Sequence, residues 1–157
     1  MTSYQLDEEA DKDKFLLFYL GKELYGVPLL GVKEVIEFRE AKPVPNMVDY
    51  FDGVINLRGE IIGVMDLRRK LGIDPDDTKC QLIFQTQRGT LAATVDSVQS
   101  VASIPGAAID REPNVESKIE QKYLIGVGNL NDRLITLLDF SQLLTDEQLD
   151  QVSDMVG

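Results

Sequence analysis

Gly53-Val54-Ile55-Asn56-Leu57 returns 73 residues later as Gly126-Val127-Gly128-Asn129-Leu130. The same register lays Ile61-Ile62 on Leu134-Ile135 and Val64-Met65-Asp66 on Leu137-Leu138-Asp139. Working outward, an offset of 66 lays Leu17-Phe18 on Ile83-Phe84, and Val32-Lys33-Glu34-Val35 on Val98-Gln99-Ser100-Val101. The difference of seven residues falls in the polar stretch 105–122, where an insertion costs little. Any one match arises readily by chance. An ordered set across most of the chain marks an internal duplication.

Each copy reads as short strands rich in β-branched and aromatic residues. In the first they are 15–20, 24–27, 32–38, 52–57 and 60–66, with turns at Gly21-Lys22 and Arg58-Gly59. In the second they are 81–86, 91–95, 98–104, 124–129 and 133–138, with Asn131-Asp132 at the matching turn. Five strands per copy predict an all-β fold of two small barrels, closed or nearly so, since closure removes exposed edges. The first barrel is expected over about 14–75 and the second over about 79–144. Asp66 is placed to cap a helix over 67–71 that Gly72 ends, and Asp139 to cap another over 140–144. Thr145 and Gln148 form a capping box for a C-terminal helix over 145–157, with Leu149, Val152 and Val156 on one face. Residues 1–13 read as a flexible acidic tail.

Composition removes most chemistry. The chain has no histidine, hence no Ser-His or Cys-His nucleophile and no ordinary zinc ligand set. The acidic run Asp74-Pro75-Asp76-Asp77 lacks the central glycine and terminal glutamate of a calcium loop and reads as a solvated linker. Cys80 reads as a small buried residue, and no internal disulfide is available to it. No catalytic residue, metal ligand or cofactor is expected. With 27 acidic against 16 basic residues the net charge is −11, which disfavours nucleic acid and anionic membrane surfaces. The longest apolar run, Phe15–Leu20, is far below the roughly 20 residues that span a bilayer, and no leader pattern is visible. A cytoplasmic protein whose partners are other proteins is the expectation.

The two copies act as controls for each other. Positions kept in both, such as Asn56 and Asn129, are read as requirements of the fold. Positions that differ are free of that explanation: Glu34 stands over Ser100, Arg58 over Asn131, and Gly59 over Asp132. Strand pairing would bring Glu34 and Arg58 together. From spacing alone two readings stand, a fixed guanidinium fork at a recognition surface or an ordinary surface pair worth about 0–1 kcal/mol.

The run from Gly53 to Ile62, followed by Val64-Met65-Asp66-Leu67-Arg68, resembles the signature of the CheW-type chemotaxis coupling proteins. So do Phe15–Leu20, Tyr25-Gly26-Val27, Val32-Lys33-Glu34-Val35, Val44-Pro45-Asn46 and the stretch 123–138, covering roughly 14–144. The resemblance implies two SH3-like five-stranded barrels with no catalytic activity. It implies an adaptor that couples methyl-accepting chemoreceptors to the histidine kinase CheA, whose regulatory domain shares the fold. It also implies that Glu34 and Arg58 pair beside the groove for the receptor's cytoplasmic tip, with Val32 and Gly53 in the same region. Kinase contacts are expected on another face of the first barrel, with Ile36 and Val44 as candidates. The adaptor is expected to join membrane receptor arrays through its partners, without insertion. It further suggests that the first strand runs between the barrels. Many relatives carry proline where this chain has Gly63, which leaves the surface there open. A receptor system serving surface motility or biofilm signalling remains the alternative to one serving flagella.

Overall fold

The computed structural model describes residues 12–86, 89–112 and 119–143. The acidic tail up to residue 11 and the expected C-terminal helix lie outside the described residues. The strands are β1 Lys14–Leu20, β2 Glu23–Pro28, β3 Val32–Glu37, β4 Phe51–Leu57, β5 Glu60–Asp66, β6 Cys80–Thr86, β7 Gly89–Val95, β8 Ser97–Ser103, β9 Ile109–Asp110, β10 Leu124–Leu130 and β11 Arg133–Leu138. Helix α1 is Leu67–Leu71 and α2 is Phe140–Leu143. Every expected strand forms with ends near those read from the sequence; β9, two residues long, was not anticipated.

The hydrogen bonding does not follow the halves of the chain. One sheet has six strands in the order β8-β1-β2-β11-β10-β9, and the other has five in the order β3-β6-β7-β5-β4. Each copy therefore lends its first hairpin to the other copy's sheet, and a division at 14–75 and 79–144 cuts across both ladders. The exchange is reciprocal in register. Parallel pairing joins Thr136 to Tyr25 and Gly63 to Leu91, positions related by the same two offsets that relate the copies. Nor does either ladder close into a ring: the edges are β3 and β4 in one sheet, β8 and β9 in the other. A bridging segment shields the edge of β4 instead, through Lys42 N to Val54 O at 2.8 Å and Val54 N to Lys42 O at 3.0 Å. In the other copy β9 does the same for β10, pairing Asp110 with Val127.

The unbroken apolar run in β1 explains the exchange, because a strand apolar on both faces must be covered on both. Phe15 and Leu17 point into one core with Leu24, Ile104, Ile135 and Leu137. Leu16, Phe18 and Leu20 enter a second core shared by both sheets, where Tyr25 and Val27 of one hairpin meet Leu82, Phe84, Leu91 and Ala93 of the other. Ile36, Ile55, Ile62, Val64 and Ile83 fill a third. Burying each large side chain of this kind stabilises by about 1.5–3 kcal/mol.

Asp66 caps α1, accepting from Arg68 N at 3.0 Å, and Gly72 closes the helix in the left-handed region at φ 69°. Asp139 Oδ1 accepts from Ser141 N at 3.0 Å in the same way, and α2 is described as far as Leu143. The first corner carries more than a cap. Arg68 donates to both oxygens of Asp66, at 2.9 and 3.0 Å, and to Asp96 Oδ1 at 2.8 Å, and all three side chains are buried. The other Asp96 oxygen takes the backbone N–H of Gly21 at 2.5 Å and of Asp76 at 3.2 Å. One buried ionic network thus ties the β1–β2 turn, the crossing from β7 to β8, the start of α1 and the linker.

Candidate functional site

Glu34 reaches its place through a β-bulge. On β3, Val32 pairs with Phe84 but Glu34 pairs with Ile83, so Lys33 is the extra residue. The second copy bulges at the matching Gln99, between the pairs Leu17–Ser100 and Phe18–Val98. Bulges re-aim side chains, and here the irregularity belongs to the fold while the residue it aims belongs to one copy. The Glu34 side chain is 8% exposed and the Arg58 side chain 61% exposed. Arg58 Nη2 donates to Glu34 Oε2. Glu34 Oε1 is buried with no partner among the described residues. The bond from Arg58 holds the Glu34 carboxyl below its ordinary range, against the upward push of burial.

The turn that presents Arg58 is costly for an arginine. Arg58 has φ 51° and Gly59 φ 89°, the left-handed pair of a two-residue hairpin turn. Asn131 and Asp132 occupy the same positions in the other copy at 53° and 65°, residue types that tolerate this region. Asn56 Oδ1 accepts from Gly59 N at 2.9 Å and steadies the first turn. The turn itself therefore does not call for arginine at 58; its bond to Glu34 does.

The remaining expected residues fall in different settings. Val32 is half-buried against the shared core, two residues from Glu34. Gly53 is buried on β4, and a Cβ there would sit 1.9 Å from Lys42 O in the bridging segment. Its counterpart Gly126 faces Asp110 O at 2.5 Å in the same way, so the fold alone requires glycine at both positions. Ile36 is only 6% exposed and packs with Ile55, Leu57 and Ile62, which leaves it no surface to offer a kinase. Val44 is half-buried in the bridging segment. The structure brings Glu34 and Arg58 into contact, keeps Val32 two residues away on β3 and buries Ile36 in the core with Ile55, Leu57 and Ile62.

Sequence reading passed over Arg39 and Gln81. Gln81, fully buried, clamps the backbone of Arg39 twice: Nε2 donates to Arg39 O at 2.9 Å, and Oε1 accepts from Arg39 N at 3.1 Å. Arg39 Nη1 in turn donates to Asn56 O at 2.9 Å, two residues before Arg58. The comparison of copies that singles out Glu34 contains this signal too, since the offset of 66 lays Pro105 over Arg39 and Phe15 over Gln81. Burial pushes the half-buried Cys80 thiol up, which lowers its thiolate fraction and fits a packing role. Among the described residues no group of three or more His, Cys, Asp or Glu is placed to hold a metal ion, and no helix is long and apolar enough to cross a membrane.

The CheW-like domain family matches residues 14–148. The chain belongs to the CheW-like domain family. A chemotaxis protein CheW of Klebsiella aerogenes is 31% identical over 157 residues, covering 98% of this chain and 95% of that one. A chemotaxis protein CheW of Thermotoga maritima is 31% identical over 133 residues, covering 83% and 87%. The crystal structure of the scaffolding protein TtCheW from Thermoanaerobacter tengcongensis superposes with a TM-score of 0.78 at 27% identity, covering 87% of this chain and 90% of the other. The CheW-like family is one of chemotaxis adaptors, which in general couple chemoreceptors and CheA. The two-sheet, mostly β architecture described above is therefore that of a CheW-like scaffold.

Proposed function

We propose that this chain bridges the cytoplasmic tip of chemoreceptors and the regulatory domain of the kinase CheA without catalysing a reaction, acting in the cytoplasm at receptor arrays. The receptor meets the face around Glu34 and Arg58, with Val32 at its margin. One observation carries this reading: a buried acid holds an exposed guanidinium, at the expense of turn geometry, in only one of the two copies. Of the five N–H donors of Arg58, the bond to Glu34 uses one and leaves donors for backbone or carboxylate oxygens of a partner. Gly53 serves this face indirectly, by letting the bridging segment lie against β4. The kinase docks elsewhere on the five-stranded sheet; Val44 belongs to that proposed surface, and Ile36 supports it from within the core.

Arg58→Glu sets a second acid against the buried Glu34 carboxylate and leaves every apolar core untouched. It is expected to abolish capture of a receptor cytoplasmic fragment while the protein stays folded, its thermal midpoint lowered by less than about 10 °C by the unpaired Glu34. Normal receptor capture by a folded Arg58→Glu protein would refute the assignment of this face.

A further inference from the structure

The clamp on Arg39 closes one wall of a cavity of about 550 Å³ at the end of the five-stranded sheet. Its floor is polar. Thr94 pairs with Gln81 on one side and with Asp66 on the other, so three polar side chains lie in a row across β6, β7 and β5. Gln81 and Asp66 are satisfied, but the Thr94 hydroxyl, on a residue 1% exposed, has no hydrogen-bond partner among the described residues.

In a chain of net charge −11 this cavity gathers four cations, Arg39, Arg68, Arg69 and Lys79, together with Glu40, Asp52 and Asp66. Arg68 is shared by Asp66 and the buried Asp96, and Asp52 lies 3.1 Å from Arg69. Lys79 Nζ stands 4.1 Å from the centre of the Phe38 ring, and neither it nor Arg39 has an ion-pair partner among the described residues. The other copy shows that the fold requires none of this. There Phe15 stands over Gln81, Pro28 over Thr94, Asp13 over Lys79 and Pro105 over Arg39, while Ser141 stands over Arg68.

We propose that this cavity receives a carboxylate side chain of the protein that docks on the Glu34–Arg58 face, held by the Thr94 hydroxyl, Lys79 and Arg39. Two cations that no described acid pairs, Arg39 and Lys79, suit a carboxylate, and the site rests on the receptor-facing reading given above. Arg39 makes the two continuous, lining the cavity while bonding to Asn56 beside the Arg58 turn.

Acetylated, amidated hexaglutamate, titrated at low ionic strength into the ¹⁵N-labelled full chain, tests the cavity directly. Saturable amide shifts are expected at Arg39, Lys79, Gln81 and Thr94, with none from hexaglutamine. Lys79→Glu and Thr94→Val should each weaken binding by about tenfold or more. Thr94→Val removes only an unpaired hydroxyl, so the fold is kept. Absence of saturable shifts at those amides, or unchanged affinity in both variants, overturns the site. In receptor capture, Lys79→Glu should lower affinity by about tenfold, and capture at the wild-type level overturns the choice of occupant. Arg58→Glu should change hexaglutamate affinity by no more than about twofold at moderate salt, so failure of the receptor face and failure of the cavity are read separately.

Discussion

At the scale of single residues, Glu34 shows how burial and pairing set a pH window. Its folded pKa lies below the ordinary value of 4.5, so the pair's contribution to stability is present above that value and is lost as the pH falls through the depressed one. The difference in stability between wild type and Glu34→Gln, measured by urea unfolding, should be constant at neutral pH, shrink below about pH 4.5 and vanish in stronger acid. A difference that grows on acidification would contradict the pairing. Gly53 is governed by sterics instead. Gly53→Ala should cost about 3 kcal/mol, because the clash is with a backbone carbonyl and φ is 133°. Gly126→Ala should also destabilise, whereas a loss confined to Gly53→Ala would point away from a shared structural demand. Glu34 and Arg58 were legible in the sequence because the copies disagree there. The buried setting of Ile36 and the carbonyl over Gly53 were not, since both depend on what a later segment does above the strand.

Strands were the readable elements, because alternation and turn residues are local signals: Gly21, the Arg58-Gly59 pair and Asn131-Asp132 all mark hairpins that form. Partnership between strands is not local. A duplication states which strands are alike, yet like strands fit either copy's sheet equally well, and the β1–β2 hairpin joins the other one. The six apolar residues in a row from Phe15 were the available clue to a strand covered on both faces. Phe18, wholly buried in the shared core, should cost about 3–5 kcal/mol as Phe18→Ala in urea unfolding. Arg68→Ala strands two buried carboxylates, Asp66 and Asp96, and should cost a similar 3–5 kcal/mol or so, far above the value of an exposed pair. A loss below about 1 kcal/mol for Arg68→Ala would show that the network is not buried in solution.

The whole molecule is expected to fold as one unit for the same reason. Each sheet holds strands from both halves, so peptides 12–78 and 79–143 should each lack stable β-structure by circular dichroism, while the full chain melts in one transition. Interlacing of this kind suits a scaffold, because a force or displacement on the proposed receptor-facing edge meets a single packed body rather than two hinged ones. On the present account the receptor sits on the face unique to the first copy and the kinase on another. The most direct test is size-exclusion chromatography of the protein with a receptor cytoplasmic fragment and CheA. Wild type should carry both partners in one peak, and folded Arg58→Glu should carry CheA alone. Retention of the receptor by Arg58→Glu, or loss of both partners together, would contradict the account.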